Sequence, residues 1–192
     1  MITQESSIAL YGIPWEKYEG LLSLLGDDQP ALRLNYLEET LEIMTTSRLH
    51  EEIKTTIRML LESYFFHKGI LFFAIGSATF KKETQKRGLE PDECYCFGEK
   101  KEYPDLAIEV VLTSGWIDKL EIYQGLGIPE VWFWKEGKFY FYKLTERSYK
   151  TITGSELLPE LDIHLLSKYV TPENQYESVK NYREQLIKNN RN

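Results

Sequence analysis

The chain has 192 residues, 42% hydrophobic and 28% charged, proportions that fit one globular domain and exclude a disordered chain. Its net charge of −7 is awkward for a nucleic-acid binder, because phosphate contacts draw on Lys and Arg. No apolar run reaches the ~20 residues that span a bilayer, and the opening MITQESSIALYGIPW lacks a basic stretch followed by an apolar one, so a cytoplasmic protein without a membrane partner is expected.

In chain order, a short helix is predicted over Trp15 to Leu25. A hairpin follows, with Leu32, Leu34 and Tyr36 alternating on one arm and Leu41 and Ile43 on the other. Ser47 is placed to cap a long helix running to about Phe66, with Leu49, Ile53, Ile57, Leu60, Leu61 and Tyr64 as its apolar stripe. The run GILFFAIGSATF supplies one or two strands. A second hairpin turns between Gly98 and Tyr103, and its return arm, DLAIEVVL, has the continuous apolar character of a strand buried on both faces. Ser114 can cap a helix from Gly115 to about Leu126, ending at Gly127. EVWFWKE and KFYFYKL flank Gly137 as a third hairpin, and Pro172 opens a polar helix to the C-terminus. The order predicts an α/β fold with a central mixed β-sheet flanked by helices. Residues 1–192 read as one domain, with a core over about 47–145, an N-terminal helix and hairpin in 12–45 and a C-terminal helix in 172–190.

The two cysteines, Cys94 and Cys96, stand two apart on one strand face. That spacing is poor for a mutual disulfide, and no further Cys would complete a zinc site, so both read as core residues.

Chemistry concentrates in the second hairpin. Reflecting the chain about the midpoint between Lys100 and Lys101 pairs Asp92 with Glu109. Across a hairpin their Cβ atoms could lie within ~5 Å, whereas Asp105 and Glu109, four apart on one strand, are roughly 13 Å apart. Asp92 is therefore the better partner for a shared metal, and Asp105 reads as the end of the turn. Glu109 sits among Leu106, Ala107, Ile108, Val110 and Val111, where an unpartnered carboxylate is costly. Lys119 falls within the apolar arc of its helix, between Tyr123 and Leu126 and away from Asp118 and Glu121. An inward lysine points to a site beneath the helix, although its long stem can also snorkel outward. Two carboxylates and a lysine suit phosphodiester hydrolysis: a hard divalent cation activates water and neutralises charge, and the lysine assists. Lys81, Lys82, Lys86, Arg87, Lys100 and Lys101 form a basic stretch before and within the hairpin. It reads equally as a substrate-binding rim or as solvated turns.

The pieces GSATF, RGLEPDECYCF, YPDLAIEVV, IDKLEIY and GIPEVWFW, between Gly76 and Trp134, resemble the PD-(D/E)xK nuclease superfamily, and within it the Uma-two family of restriction endonucleases. Weaker similarity reaches LEIM, His50-Glu51 and LLPELDIHLL. The resemblance implies a restriction-endonuclease-like core and Mg²⁺-dependent (or Mn²⁺-dependent) cleavage of DNA, with Asp92 and Glu109 as metal ligands and catalytic acids. The motif lysine would stand at position 111, which is Val111. Such families often move that lysine to the next helix, where Lys119 matches. The superfamily's additional helix acid would be Glu51. Helical phase instead turns His50 toward the apolar stripe, where it can line the site or be a satisfied core histidine. A homodimer is expected of an enzyme that cuts both strands, and the aromatic strands around Trp132 and Trp134 are one surface for it. The rival reading is a nuclease-fold binding or assembly protein with little or no activity.

Overall fold

The computed structural model describes residues 5–25, 31–76, 78–113, 115 and 117–189. In chain order the elements are β1 (Ser7–Leu10), α1 (Trp15–Leu25), β2 (Leu32–Leu37), β3 (Thr40–Thr45), α2 (Arg48–Lys68), β4 (Phe72–Ala74), β5 (Phe80–Lys82) and β6 (Arg87–Leu89). They continue with β7 (Glu93–Phe97), β8 (Leu106–Val111), α3 (Lys119–Leu126), β9 (Glu130–Lys135), β10 (Lys138–Leu144), β11 (Tyr149–Ile152), α4 (Ile163–Lys168) and α5 (Gln175–Asn189). A 3₁₀ turn at Pro172–Asn174 leads into α5.

The strands make two sheets. The larger is mixed, in the order β11-β10-β9-β8-β7-β4, and the smaller runs β1-β3-β2-β6-β5. Among the described residues only the β8–β9 pair is parallel, because α3 carries the chain back before β9 begins. The α/β class with a mixed sheet flanked by helices is what the structure shows.

Local chemistry explains most boundaries. Ser47 caps α2, accepting a hydrogen bond from the His50 N–H, and Gly69 closes the helix in the left-handed region. The β9–β10 hairpin turns on Glu136 and Gly137, both with positive φ, the conformation a two-residue turn requires. The β7–β8 ladder pairs Glu93 with Ile108 and Cys94 with Ala107, the register implied by reflection about Lys100 and Lys101. Asp105 ends the turn: its carboxylate accepts from the Phe97 N–H and pairs with Lys101.

Strand β8 organises the core through its two-residue alternation. Leu106, Ile108 and Val110 pack with Ile57, Leu60 and Leu61 of α2 and with Trp132 and Trp134. Ala107 faces the other way, joining Cys94 and Val131 to Ile122, Tyr123 and Leu126 of α3 and to Phe80 and Leu89 of the small sheet. Helix α3 is thereby wedged between the two sheets. A third cluster stacks Tyr18 of α1 on Tyr36 of β2, rings 4.7 Å apart.

Several expectations are corrected. Leu49 does not belong to the apolar stripe of α2; it is 50% exposed, whereas the other five members are buried. The run GILFFAIGSATF does supply two strands, within the one or two expected, with β4 edging the large sheet and β5 the small one. Helix α3 begins at Lys119, capped by Asp118, because the Asp118 side chain accepts the Leu120 N–H; Gly115 lies in the preceding loop. The expected cap, Ser114, falls outside the described residues. Trp132 and Trp134 are themselves buried, and their strand β9 is already paired on both edges, by β8 and β10. The sequence also gave no sign of β1, β6, β11 or α4, all short.

Candidate active site

Glu109 projects from β8 on the face turned toward α3 and is fully buried. Lys119 and Tyr123 are four residues apart on α3 and so share a helix face. The Lys119 ammonium donates to Glu109 Oε2 at 2.6 Å, and the Tyr123 hydroxyl donates to Oε1. Asp92 stands just outside the last β7–β8 pair, opposite Glu109. Where the ladder has ended, its Oδ2 accepts the Val110 N–H at 2.7 Å, so a side chain completes the main-chain pairing.

The other oxygen, Oδ1, lies 2.8 Å from Nε2 of His50, which the cap at Ser47 fixes in the first turn of α2. On the far side of the ring, Nδ1 lies 2.9 Å from Glu5 Oε1 as an ion-pair contact, without the alignment of a hydrogen bond. Glu5 also accepts from Ser47 and, through Oε2, from the Thr113 hydroxyl at 3.1 Å. It thus ties the start of the chain to α2 and to the segment after β8.

Electrostatics follow from this packing. Burial by itself favours a neutral His50, but the hydrogen bond to Asp92 and the charges of Asp92 and Glu5 prevail and push the imidazolium up to about 9. Burial would raise Asp92, yet His50 and Lys119 hold it down at about 2. Glu109 is raised, by burial first and by the charge of Asp92, with Lys119 offsetting part of the effect. Lys119 is raised despite burial, because Glu109 and Asp92 both face it, so it carries its charge. The carboxyl groups of Glu5, Asp92 and Glu109 thus meet the Lys119 and His50 side chains here.

The cluster opens on a cleft of about 410 Å³ whose lining comes from both sheets and from the starts of α2 and α3. Asp92, His50, Lys119 and Glu5 line it. Arg33 and Met44 come from the small sheet; Phe133, Lys135, Tyr140 and Tyr142 come from the large one. Among the described residues, no group of three or more His, Cys, Asp or Glu side chains is arranged to hold a metal ion. Two hard carboxylates do fit Mg²⁺, which keeps several waters and is held by one or two carboxylates. They do not make the closed nitrogen or sulfur cage of a structural zinc site.

Asp92, Glu109, Lys119 and His50 are therefore brought together. Glu51 is not: it pairs with Lys54, and its Oε1 lies 3.8 Å from the Arg33 guanidinium without lining the cleft itself. Lys81, Lys82, Lys86 and Arg87 lie on β5, β6 and the turn between them, and none lines the cleft. Lys81 is paired with Glu19 and Arg87 with Glu38. The cations that line the cleft are instead Arg33, Lys119 and Lys135, with His50. Val111, at the motif position for lysine, sits on the cleft wall.

Sequence reasoning missed three residues. Tyr123 was legible as the i+4 neighbour of Lys119 but was counted only as apolar. Arg33 alternates with Leu32 and Leu34, and its buried side faces the cleft rather than solvent. Glu5 carried no local signal.

A model of the Uma2 family, described as "Putative restriction endonuclease", matches residues 15–170. The chain belongs to the Uma2 family. The matched span contains every member of the cluster except Glu5. No curated protein matches the chain. Membership sets the broad class, a nuclease-type protein with DNA as the implied substrate, and no described helix is long and apolar enough to cross a membrane.

Proposed function

We propose that this Uma2 chain is a Mg²⁺-dependent (or Mn²⁺-dependent) DNA endonuclease that hydrolyses phosphodiester bonds at the Asp92–Glu109–Lys119 cluster. One observation carries the reading: a fully buried glutamate is held by a lysine and a tyrosine beside a second carboxylate, at the wall of an open cleft. Asp92 and Glu109 would hold the metal, which supplies Lewis acidity and lowers the pKa of bound water. Lys119 keeps its ammonium at the cleft wall, where it can orient the attacking water and stabilise negative charge on the phosphorus oxygens. His50 holds Asp92 ionised and fixes its direction, and Glu5 braces the imidazolium from behind. Tyr123 orients the Glu109 carboxylate.

A second reading, a nuclease-fold binding protein without activity, draws on one specific observation. All four oxygens of Asp92 and Glu109 already accept hydrogen bonds from protein donors, so a metal must share or displace them.

Nicking of supercoiled plasmid with Mg²⁺ or Mn²⁺ separates the two. Nicking by the wild type that Asp92→Ala abolishes is the outcome expected of the enzyme; identical background from both proteins on the plasmid and on single-stranded circular DNA would establish the inactive reading. Cutting both strands takes two such sites, so the active form is proposed to be a homodimer, which sedimentation equilibrium on the same preparation would test.

A further inference from the structure

The wall of the cleft beyond the acids is aromatic, and strand register places it. Glu109 on β8 is the parallel partner of Phe133 on β9, and Phe133 is the antiparallel partner of Tyr140 on β10. With strands ~4.8 Å apart, the row runs from the carboxylate through Phe133 to Tyr140 within roughly 10 Å. Tyr142, two residues along β10, meets Phe133 edge to face, rings 5.6 Å apart at 88°. Phe133 and Tyr142 are half-buried, and Tyr140 is 39% exposed although all its neighbours on the other face are core. The next row outward carries Lys135, which makes no ion pair among the described residues.

Charge decides what this wall suits. A protein that grips duplex DNA neutralises several phosphates with Lys and Arg. Of the cleft's cations, Lys119 is committed to Glu109, His50 to Asp92 and Glu5, and the Arg33 guanidinium faces Glu51 and Glu90 at 3.8 Å. The whole chain carries −7. Rings on which a base can stack, with one lysine beside them, are instead the means by which single strands are held.

We propose that the strand to be cut enters unpaired, with one base stacked on the Phe133–Tyr140–Tyr142 wall and its phosphodiester carried toward Asp92 and Glu109. The substrate class is single-stranded DNA, or the unpaired end of a duplex. The scissile geometry rests on the nuclease reading above; the stacking site does not, and the test reads binding alone. Fluorescence anisotropy of the full chain in EDTA at low salt would compare a labelled oligothymidylate with a blunt duplex of equal length. The single strand is expected to bind at least tenfold more tightly. Tyr140→Ala should weaken the single strand roughly tenfold and leave the duplex unchanged, while Tyr140→Phe, which keeps the ring, restores it. An abasic strand of the same length should bind as weakly as the oligothymidylate binds Tyr140→Ala. Equal or tighter duplex binding, no binding of either, or equal losses on both DNAs in Tyr140→Ala would overturn the proposal. Unchanged melting temperatures guard against misfolding. If neither plasmid nor a single-stranded oligonucleotide is cleaved with Mg²⁺ or Mn²⁺ while the single-strand preference persists, the catalytic reading falls and this one stands.

Discussion

Of the three glutamates buried in neighbouring strands of the large sheet, Glu109 and Glu130 are held in different ways. Glu130, at the start of β9, accepts from the Trp132 indole N–H and from the main-chain N–H groups of Glu156 and Leu157. Its donors are neutral, and it pins the segment after β11 to the sheet. Glu109 is held by an ammonium and a phenol, faces a second carboxylate, and lies behind the wall of a cleft. A carboxylate held by neutral N–H groups is a structural joint. One held by a cation and set against another carboxylate stores charge that a ligand cation can use. Burial alone therefore does not mark function; the chemistry of the donors does.

The widest separation between the two should appear in catalysis. Glu109→Gln is expected to lower plasmid nicking by about 10²–10³-fold, and Glu130→Gln to leave it nearly unchanged at a temperature where both are folded. Loss of nicking in Glu130→Gln without a fall in melting temperature would collapse the distinction. Lys119→Ala should cost about 10²-fold in nicking yet tighten Mn²⁺ binding in isothermal titration, because it removes a competing positive charge. Weakened Mn²⁺ binding would show that Lys119 organises the ligands instead of competing with the metal.

Stability should reverse the ranking. Glu130→Ala strands three donors and is expected to cost about 2–4 kcal/mol, roughly 5–15 °C in melting temperature, with nicking per folded molecule retained. The smallest effect is assigned to Tyr123→Phe, which removes one hydrogen bond to Glu109. A loss of about 1 kcal/mol and a nicking rate down by up to about tenfold are expected. A rate loss as large as that of Lys119→Ala would give the phenol a direct catalytic part.

Local pattern alone determined a good deal of this protein. The two-residue period of a hairpin fixed the Asp92–Glu109 pairing, since register follows from where the turn lies. The cost of an isolated carboxylate in an apolar strand singled out Glu109, and helical phase turned Lys119 and His50 inward. These inferences need only neighbours in sequence. The tertiary structure decided what depends on distant segments meeting. The chain folded into two sheets, an outcome invisible while β1, β6 and β11 were too short to show a period. The basic run before the hairpin went to β5 and β6, off the cleft, because that stretch pairs with β2 rather than with the large sheet. Glu5 reached His50 across more than forty residues, and the aromatic wall arose only when β9 and β10 came into register beside β8. A sequence records the preference of each residue for a face. Which faces meet is set by packing, and the cleft with its ligand chemistry exists only there.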